Sequence, residues 1–332
     1  MPVLVMRFDL RNPGFAGVSA TDRYRAALEM VEWADAHGVA AVVLSEHHGS
    51  DDGYLPAALT MAAAVAARTA TVQIVVSAIP APFHEPLHLA EQATVVDLLS
   101  GGRLTVVLAN GYVPSEMAMF GVGPGERAAR TTEAVDVLRA SRTGAPFAFR
   151  GRTVRLTPAP EGPPGRAGPA VLLGGSGPAA ARRAARIADG FQPSTPEAWA
   201  VYREERRALG KRDPGEYLAD PTGFLHVAHD PDAAWEAIAP HARHEAEAYG
   251  RWASEAGMGG ATGYAPPTDA DLAELRASGR YRVVTPAALV AELADDPDAV
   301  VVLSPMMGGL PPGVAWESLH LLADEVLPHL AP

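Results

Sequence analysis

The sequence contains no cysteine, which excludes disulfides, iron–sulfur clusters and thiol nucleophiles. Basic residues are outnumbered by acidic ones: the formal net charge is −12, and no run of lysine or arginine occurs. This balance disfavours nucleic acid and anionic membranes as partners. No uncharged stretch reaches the roughly 20 residues of a membrane span, and the first residues lack signal-peptide character. We therefore expect a cytoplasmic protein that contacts neither nucleic acid nor membrane.

What the sequence does contain is an alternation of short apolar runs with helical patterns. Its 332 residues are 48% hydrophobic, enough for a large core. Strands are predicted over 3–8, 39–44, 71–77, 104–108, 171–173, 191–192, 223–228 and 299–303, and helices over 22–36, 56–68, 88–99, 127–139, 179–189, 195–209, 285–293, 316–327 and from 232 onward. Close to eight strand–helix pairs predict an α/β fold, a (β/α)8 TIM barrel with insertions, and a doubly wound open sheet is the alternative.

The domain organisation follows from the interruptions of this pattern. We expect one barrel domain over residues 1–332, with insertions near 143–169 and 240–283. The first insertion is rich in proline and glycine and predicts a hairpin from 147–149 and 153–156. Within the second, residues 257–267 are rich in glycine, alanine and proline, so we interpret them as mobile and as a candidate lid.

One glycine-rich turn stands out between a predicted strand and a predicted helix. Gly174, Gly175, Ser176 and Gly177 precede Pro178, which suits the first helical position. We expect these glycines to turn the backbone with positive φ. The free N–H groups and the dipole of a helix start favour an anion, so the turn is a candidate phosphate site. The alternative is an ordinary strand–helix turn in which small residues serve packing.

Unusual residues also follow other predicted strands, at the edge where barrels place their active sites. His47 is the candidate general base, because an imidazole titrates near neutral pH, and the alternative is a structural histidine. Arg103 and Arg127 are candidates for contacting a phosphate, or each pairs with a surface carboxylate. Arg183 is expected on a solvated helix face. The remaining strand-end residues are Glu46, His48, Ser77, Ala78, Asn110, Gly111, Tyr112, Met306 and Met307.

The segment from His84 to His88 matches the spacing of a zinc-binding HExxH helix. Pro86 disrupts that geometry unless it opens the helix, in which case His84 lies outside it. We therefore predict no metal site. A Gly-x-Ser-x-Gly elbow and a phosphate-binding lysine after the glycine turn are also missing, which disfavours serine hydrolase and nucleoside triphosphatase chemistry.

These residues together resemble the luciferase-like flavin monooxygenases. The turn at 174–177 with the following helix and Asp189-Gly190-Phe191 is the most specific part of the resemblance, which covers nearly the whole chain. Its other parts are Glu46-His47-His48 with Pro56, the run from Pro86 to Arg103, Asn110-Gly111-Tyr112 with Glu116 and Arg127, Thr285-Pro286, the run from Val301 to Pro305, and Val326-Leu327-Pro328.

The resemblance implies a luciferase-like barrel that binds reduced FMN, or alternatively a deazaflavin. The cofactor phosphate would lie at Gly174–Gly177 with Arg127, and His47 would be the catalytic histidine. Ser77 and Ala78 fall where the family often has a cis peptide bond beside the flavin. Asn110 replaces an arginine near the flavin and Ala109 replaces a cysteine, which argues against light emission.

The resemblance further implies a two-component reaction. A separate flavin reductase supplies reduced FMN, O2 adds to give the flavin C4a-hydroperoxide, and a small organic substrate is oxygenated. A deazaflavin-dependent oxidoreductase that transfers hydride is one alternative, and a non-catalytic flavin-binding barrel is another. The family commonly dimerises through barrel helices, so we expect a homodimer.

Overall fold

A computed structural model describes residues 2–162, 167–217, 223–258 and 271–330. Its strands are β1 (Val3–Phe8), β2 (Ala41–Leu44), β3 (Gln73–Pro80), β4 (Leu104–Ala109), β5 (Phe147–Phe149), β6 (Arg152–Val154), β7 (Ala170–Gly175), β8 (Gly190–Pro193), β9 (Phe224–Val227), β10 (Tyr281–Val284) and β11 (Val300–Leu303). Its helices are α1 (Ala20–Ala36), α2 (Ala58–Arg68), α3 (Pro86–Ser100), α4 (Pro114–Met119), α5 (Arg127–Ser141), α6 (Pro178–Ile187), α7 (Pro196–Ala208), α8 (Pro231–Glu255), α9 (Leu272–Ala277), α10 (Pro286–Asp295) and α11 (Pro312–Leu321).

The chain divides into two compact units, and the first contains both chain ends. It comprises residues 1–43, 48–56 and 220–332. In this unit β1 pairs in parallel with β11, with Val3 opposite Val300 and Met6 opposite Leu303. A second parallel pair joins β9 to β10. The β-branched sequence of β11 suits a strand whose alternate residues are buried.

The second unit comprises residues 44–47 and 57–219 and is built around four parallel strands. Their order is β3-β4-β7-β8. Each of these strands is followed along the chain by a helix, the connection that parallel strands need. Because the strands are parallel, their carboxyl ends lie along one edge. That edge carries Ser77, Asn110, Gly174 and Gln192.

Proline and small polar residues set the starts of the helices in this unit. Pro86 opens α3 and Pro178 opens α6, where a missing N–H costs nothing. Thr195 caps α7 by accepting a hydrogen bond from the backbone N–H of Ala198. At the other end of α3, Gly101 has a φ of 68°, the left-handed conformation that closes a helix.

Most predicted elements are present, with five differences. The predicted hairpin is confirmed as β5 and β6. The short elements α4, α9 and β10 were not predicted, and β3 extends to Pro80 rather than ending at 77. The prediction of positive φ at Gly174, Gly175 and Gly177 is wrong, because β7 stays extended through Gly175 and Gly177 has a φ of −117°.

The expectations of a lid and of no membrane-spanning segment can be compared only with the residues that the structure describes. Most of the candidate lid at 257–267 lies outside the described residues, from 259 onward. Within the described ranges, no helix combines the length and the apolar character that crossing a bilayer requires.

Candidate functional site

His47 is held by a buried carboxylate. Its Nδ1 lies 2.8 Å from Oε1 of Glu116, and the exposed fractions of the two side chains are 14% and 3%. The ring of Tyr112 meets the imidazole edge-on, with centroids 5.8 Å apart. Glu116 is on α4, the short helix that Pro114 opens just after β4. A carboxylate only accepts hydrogen bonds, so Nδ1 carries a hydrogen and Nε2 is the basic nitrogen of a neutral His47.

Glu46, next to His47 in sequence, has a structural role. Its Oε2 accepts a hydrogen bond from the backbone N–H of Ala58 at the start of α2, and its Oε1 lies 2.8 Å from Nε2 of His84. Pro86 is the first residue of α3, two residues before the predicted start of this helix, so His84 precedes the helix. The two histidines of the HExxH-like segment therefore do not share a helical face.

The Ser77–Ala78 peptide bond is cis, as the resemblance implied. The pairing of β3 with β4 shifts register between Ser77 and Ile79. The Ser77 hydroxyl lies 2.9 Å from Oε1 of Gln192, to which it donates a hydrogen bond. Gln192, which comes from β8, was not singled out from the sequence. The sequence signal for Gln192 is its place at the end of a predicted short strand. In the sheet it lies opposite Gly174 of the glycine turn.

Gly175 and Gly177 of the predicted phosphate turn differ in whether packing requires glycine at that position. A Cβ on Gly175 would lie 2.6 Å from Cβ of Ala180, so packing of α6 against β7 requires glycine there. A Cβ on Gly177 would meet nothing within 4 Å. Gly177 is the N-cap of α6, directly before Pro178, and no side chain caps it. The turn therefore leaves an open helix start, where an anion is favoured.

Arg183 reaches this edge from α6, which corrects the expectation that it lies on a solvated face. Its Nη2 donates to Oδ1 of Asn110 at 3.2 Å, and its Nε is buried with no hydrogen-bond partner among the described residues. Burial lowers the pKa of Arg183. Long side chains on a helix lean towards its N-terminus, which places this guanidinium nearer the glycine turn than its position in sequence indicates.

The two arginines predicted to contact a phosphate differ. Arg127 is half-buried at the start of α5 and donates to the backbone oxygens of Gly111, at 2.8 Å, and Pro124. It stays a candidate ligand. Arg103 is buried before β4, where it bonds backbone oxygens that include those of Ser100 and Val72. The expectation that Arg103 lies at the surface is therefore wrong, and its guanidinium is engaged by backbone oxygens.

The residues at this edge fit the phosphate of a flavin or deazaflavin. The Nε of Arg183 provides a buried donor that none of the described residues accepts from. The open N-cap at Gly177 and the exposed side chain of Ser176 leave room at the helix start. Arg127 adds a second guanidinium in the same unit. Together these groups supply the positive charge and hydrogen-bond donors that a phosphate requires.

Comparison with known proteins identifies the family. The sequence model of one family, described as luciferase-like monooxygenase, matches residues 6–300. The chain belongs to this family. The resemblance seen in the sequence is therefore confirmed, and so is the expectation of an enzyme family of oxidoreductases.

Two curated relatives of this luciferase-like chain carry names that state different activities. The 4-hydroxyprotoasukamycin monooxygenase of Streptomyces nodosus subsp. asukaensis is 32% identical over 117 residues, 35% of this chain and 32% of the relative. The F420-dependent glucose-6-phosphate dehydrogenase of Nakamurella multipartita is 32% identical over 184 residues, 52% of each chain. The chain thus spans about half or less of the length of these relatives.

Solved structures establish the fold over nearly the entire chain. The monooxygenase RslO1 from Streptomyces bottropensis has a TM-score of 0.72 and 24% identity, covering 99% of this chain and 100% of that one. The oxygenating constituent of 3,6-diketocamphane monooxygenase from Pseudomonas putida, solved with FMN, has a TM-score of 0.69 and 17% identity, covering 100% and 99%. The predicted α/β fold of the luciferase-like TIM-barrel type is confirmed.

Proposed function

We propose that this luciferase-like protein is an FMN-dependent monooxygenase that receives reduced FMN from a separate reductase. The observation that carries the proposal is the His47–Glu116 pair, an oriented imidazole in the unit that also holds the phosphate-binding residues. The family membership and the monooxygenase relatives support it. We further propose that the protein is a cytoplasmic homodimer acting on a small organic substrate, within the single barrel domain expected over residues 1–332.

The residues that would hold FMN divide by the part of the cofactor they suit. Gly174, Gly175, Ser176 and Gly177 with Arg183 and Arg127 would hold the phosphate. Ser77, Ala78 and Asn110 would lie beside the ring system, as the resemblance implies. When bound, the reduced flavin supplies the two electrons that activate O2.

The chain's own contribution is proton transfer and shielding. Glu116 fixes the imidazole of His47 through Nδ1, and the proposal assigns the transfer of a proton at the reacting centre to Nε2. Burial of Glu116 and the contact with Tyr112 keep water away from the Nδ1 side of the ring. A general base held in this way contributes about 10²- to 10⁴-fold to rate.

A second candidate function is a deazaflavin-dependent oxidoreductase. The relative from Nakamurella multipartita, which carries F420 in its name, matches 52% of this chain at 32% identity and favours this alternative. The same phosphate-binding residues would serve either cofactor, because both carry a phosphate. A third possibility, a barrel that binds flavin without catalysis, differs only in having no effect on flavin reactivity.

An anaerobic titration followed by rapid mixing with O2 separates these functions. The full chain is titrated with reduced FMN and with reduced F420, and binding is followed by absorbance. We expect reduced FMN to bind and to reoxidise at a rate different from that of free FMN. We also expect the His47→Gln variant to bind FMN equally but to change that rate about 10²-fold or more.

The matched control is His88→Gln, which alters an exposed histidine on α3. It should behave as the wild type. Binding of F420 without any binding of FMN would replace the proposal by the deazaflavin alternative. An FMN reoxidation rate equal to that of free FMN would favour a flavin-binding barrel without catalysis.

A further inference from the structure

The first unit contains a polar cavity that the flavin-binding residues do not account for. It has about 480 Å³ of space not filled by protein atoms, including the part open to solvent. Its charged and polar walls are Arg7, Asp9, Glu245, Arg280 and Ser304. Because β1 and β11 pair with Met6 opposite Leu303, Arg7 and Ser304 follow at the same level. The cavity thus lies at the carboxyl ends of these strands, where barrel enzymes bind substrates.

Asp9 is already engaged with Arg11. Its Oδ1 accepts a hydrogen bond from the backbone N–H of Arg11 at 3.1 Å, and its Oδ2 lies 3.5 Å from Nε of the same residue. Leu10, between them, has a φ of 57°, a left-handed conformation that leucine rarely adopts. Surrounding contacts must therefore hold this turn in place.

Arg11 is itself held by buried side chains around it. Its side chain is 0% exposed and forms an ion pair with Asp52. The guanidinium carbon lies 4.6 Å from the ring centre of Tyr54, 4.9 Å from that of Tyr249 and 4.7 Å from that of Trp252. Cation–π attraction to three rings favours this position of the guanidinium. Arg11 therefore compensates the negative charge of Asp9.

The second carboxyl group of the cavity is Glu245, and it is poorly suited to a fixed negative charge. Its Oε2 accepts a hydrogen bond from the hydroxyl of Tyr281 at 2.9 Å. Burial and the nearby Asp9 raise the pKa of Glu245, which favours its protonated form. A protonated carboxyl group has an O–H that it can donate to an anion.

Arg7 and Arg280 give the cavity its lasting positive charge. A guanidinium has five N–H donors and stays protonated at physiological pH, so each can hold an anion in addition to its protein contacts. The Ser304 hydroxyl lies on the same wall and donates a long hydrogen bond, of 3.4 Å, to the backbone oxygen of Gly223, which an anion can replace as the acceptor. Phe8, Met306 and Met307 supply apolar surface beside these groups. This combination complements an anionic head group with a short apolar body.

We infer that this cavity, which we call the Arg7–Arg280 cavity, binds the carboxylate of a small organic acid that is the substrate of this oxidoreductase. The claim that the acid is a substrate rests on the proposed function, whereas the claim that the cavity binds a carboxylate does not. A planar carboxylate matches the fork of a guanidinium and can accept from Ser304 at the same time. The apolar part of the acid would contact Phe8 and Met306.

The test compares three probes of nearly equal shape, titrated into the full chain without flavin. Butyrate carries the carboxylate, butyramide is its neutral counterpart, and butylammonium has the opposite charge. Binding is followed by tryptophan fluorescence, because Trp235 packs in the same buried cluster as the cavity residues Phe224 and Met307. We expect butyrate to bind about tenfold or more tightly than butyramide, since bonds to charged groups are the stronger ones.

Variants assign the effect to the cavity. Arg7→Gln and Arg280→Gln are each expected to remove the preference for butyrate. Arg282→Gln is the matched control, because Arg282 lies on β10 and forms an exposed ion pair with Glu292. Equal binding of butyrate and butyramide, tighter binding of butylammonium, or an unchanged preference in both cavity variants would overturn the inference. Since no flavin is present, such a failure leaves the flavin experiment above to be judged separately.

Discussion

Glu116 and His47 are 69 residues apart in sequence, and their side chains meet at 2.8 Å. A short helix of six residues, α4, brings the carboxylate to the imidazole. Glu116 is 3% exposed, so its negative charge is held in a place where it must be compensated. The arrangement makes Glu116 a positioning residue for the proposed general base.

Replacing Glu116 by glutamine should reduce activity without unfolding the protein. Glutamine keeps the shape of the side chain but can also donate, so it no longer fixes the hydrogen on Nδ1 of His47. We expect the flavin reoxidation rate to change about 10- to 100-fold in the same direction as in His47→Gln. Its pH profile should also shift, which loss of packing alone would not cause.

The control for this variant is Glu126→Gln, which alters an exposed carboxylate just before α5. It should leave both the rate and the pH profile unchanged. Thermal unfolding of both variants reports folding independently. A normal reoxidation rate and pH profile for Glu116→Gln would contradict the positioning role.

Arg183→Gln should weaken binding of FMN but not of riboflavin. The two flavins differ only in the phosphate, which the buried Nε of Arg183 is suited to bind. We expect the dissociation constant for FMN to rise about tenfold or more, because charge-assisted hydrogen bonds contribute about 1.5–3 kcal/mol. Quenching of flavin fluorescence measures both affinities. The neighbouring Arg182→Gln is the control, since Arg182 is exposed on the same helix. Equal weakening for both flavins would place Arg183 elsewhere on the cofactor.

Gly175→Ala should destabilise the protein, whereas Gly177→Ser should not. The new Cβ at 175 would lie 2.6 Å from Cβ of Ala180, and overpacking of this kind costs about 1–3 kcal/mol. A Cβ at 177 meets nothing within 4 Å, and serine is a preferred N-cap residue. Urea unfolding compares the two free energies. A Gly175→Ala variant as stable as wild type would show that α6 moves away from β7 without cost.

His226 makes the stability of the protein depend on pH below neutrality. Its side chain on β9 is 4% exposed and stacks on Phe224, and burial lowers its pKa to about 4. The unfolded chain binds a proton near pH 6.5, so this contribution is complete above pH 6.5 and is lost as pH falls towards 4. Between pH 7.5 and 5 the loss is about 2 kcal/mol.

Unfolding free energies of wild type, His226→Phe and His320→Gln at these two pH values check this expectation. The His226→Phe variant should lose less stability than wild type on acidification. The exposed His320 on α11 should contribute no difference. Equal losses of unfolding free energy in all three proteins would show that His226 is not the source of the pH dependence.

The sequence predicts the regular parts of this fold well, because each depends on local pattern. The apolar runs at 3–8 and 299–303 alternate in burial as strands do, and Pro178 opens a helix at its expected first position. His47 and the glycine turn were singled out because they follow such strands, whereas the Ser77–Ala78 cis bond was implied by the family resemblance.

The missed residues act across long sequence separations. The partners of Glu116 and Arg183 lie 69 and 73 residues away, and no local pattern encodes those pairings. Arg103 was misassigned because several of its partners are backbone oxygens, which every residue has. The glycine turn was correctly located, but the need for glycine at 175 comes from the approach of Ala180 rather than from a special φ.

The pairing of β1 with β11 has a consequence for synthesis on the ribosome. Val300 is made 297 residues after its neighbour Val3. At the usual elongation rates of about 5–20 residues per second, one edge of β1 waits on the order of 15 to 60 s for its partner. Residues 57–219, the main part of the second unit, are contiguous and need no such delay. The nascent chain therefore carries an open strand edge during that interval, which makes that edge a target for chaperones.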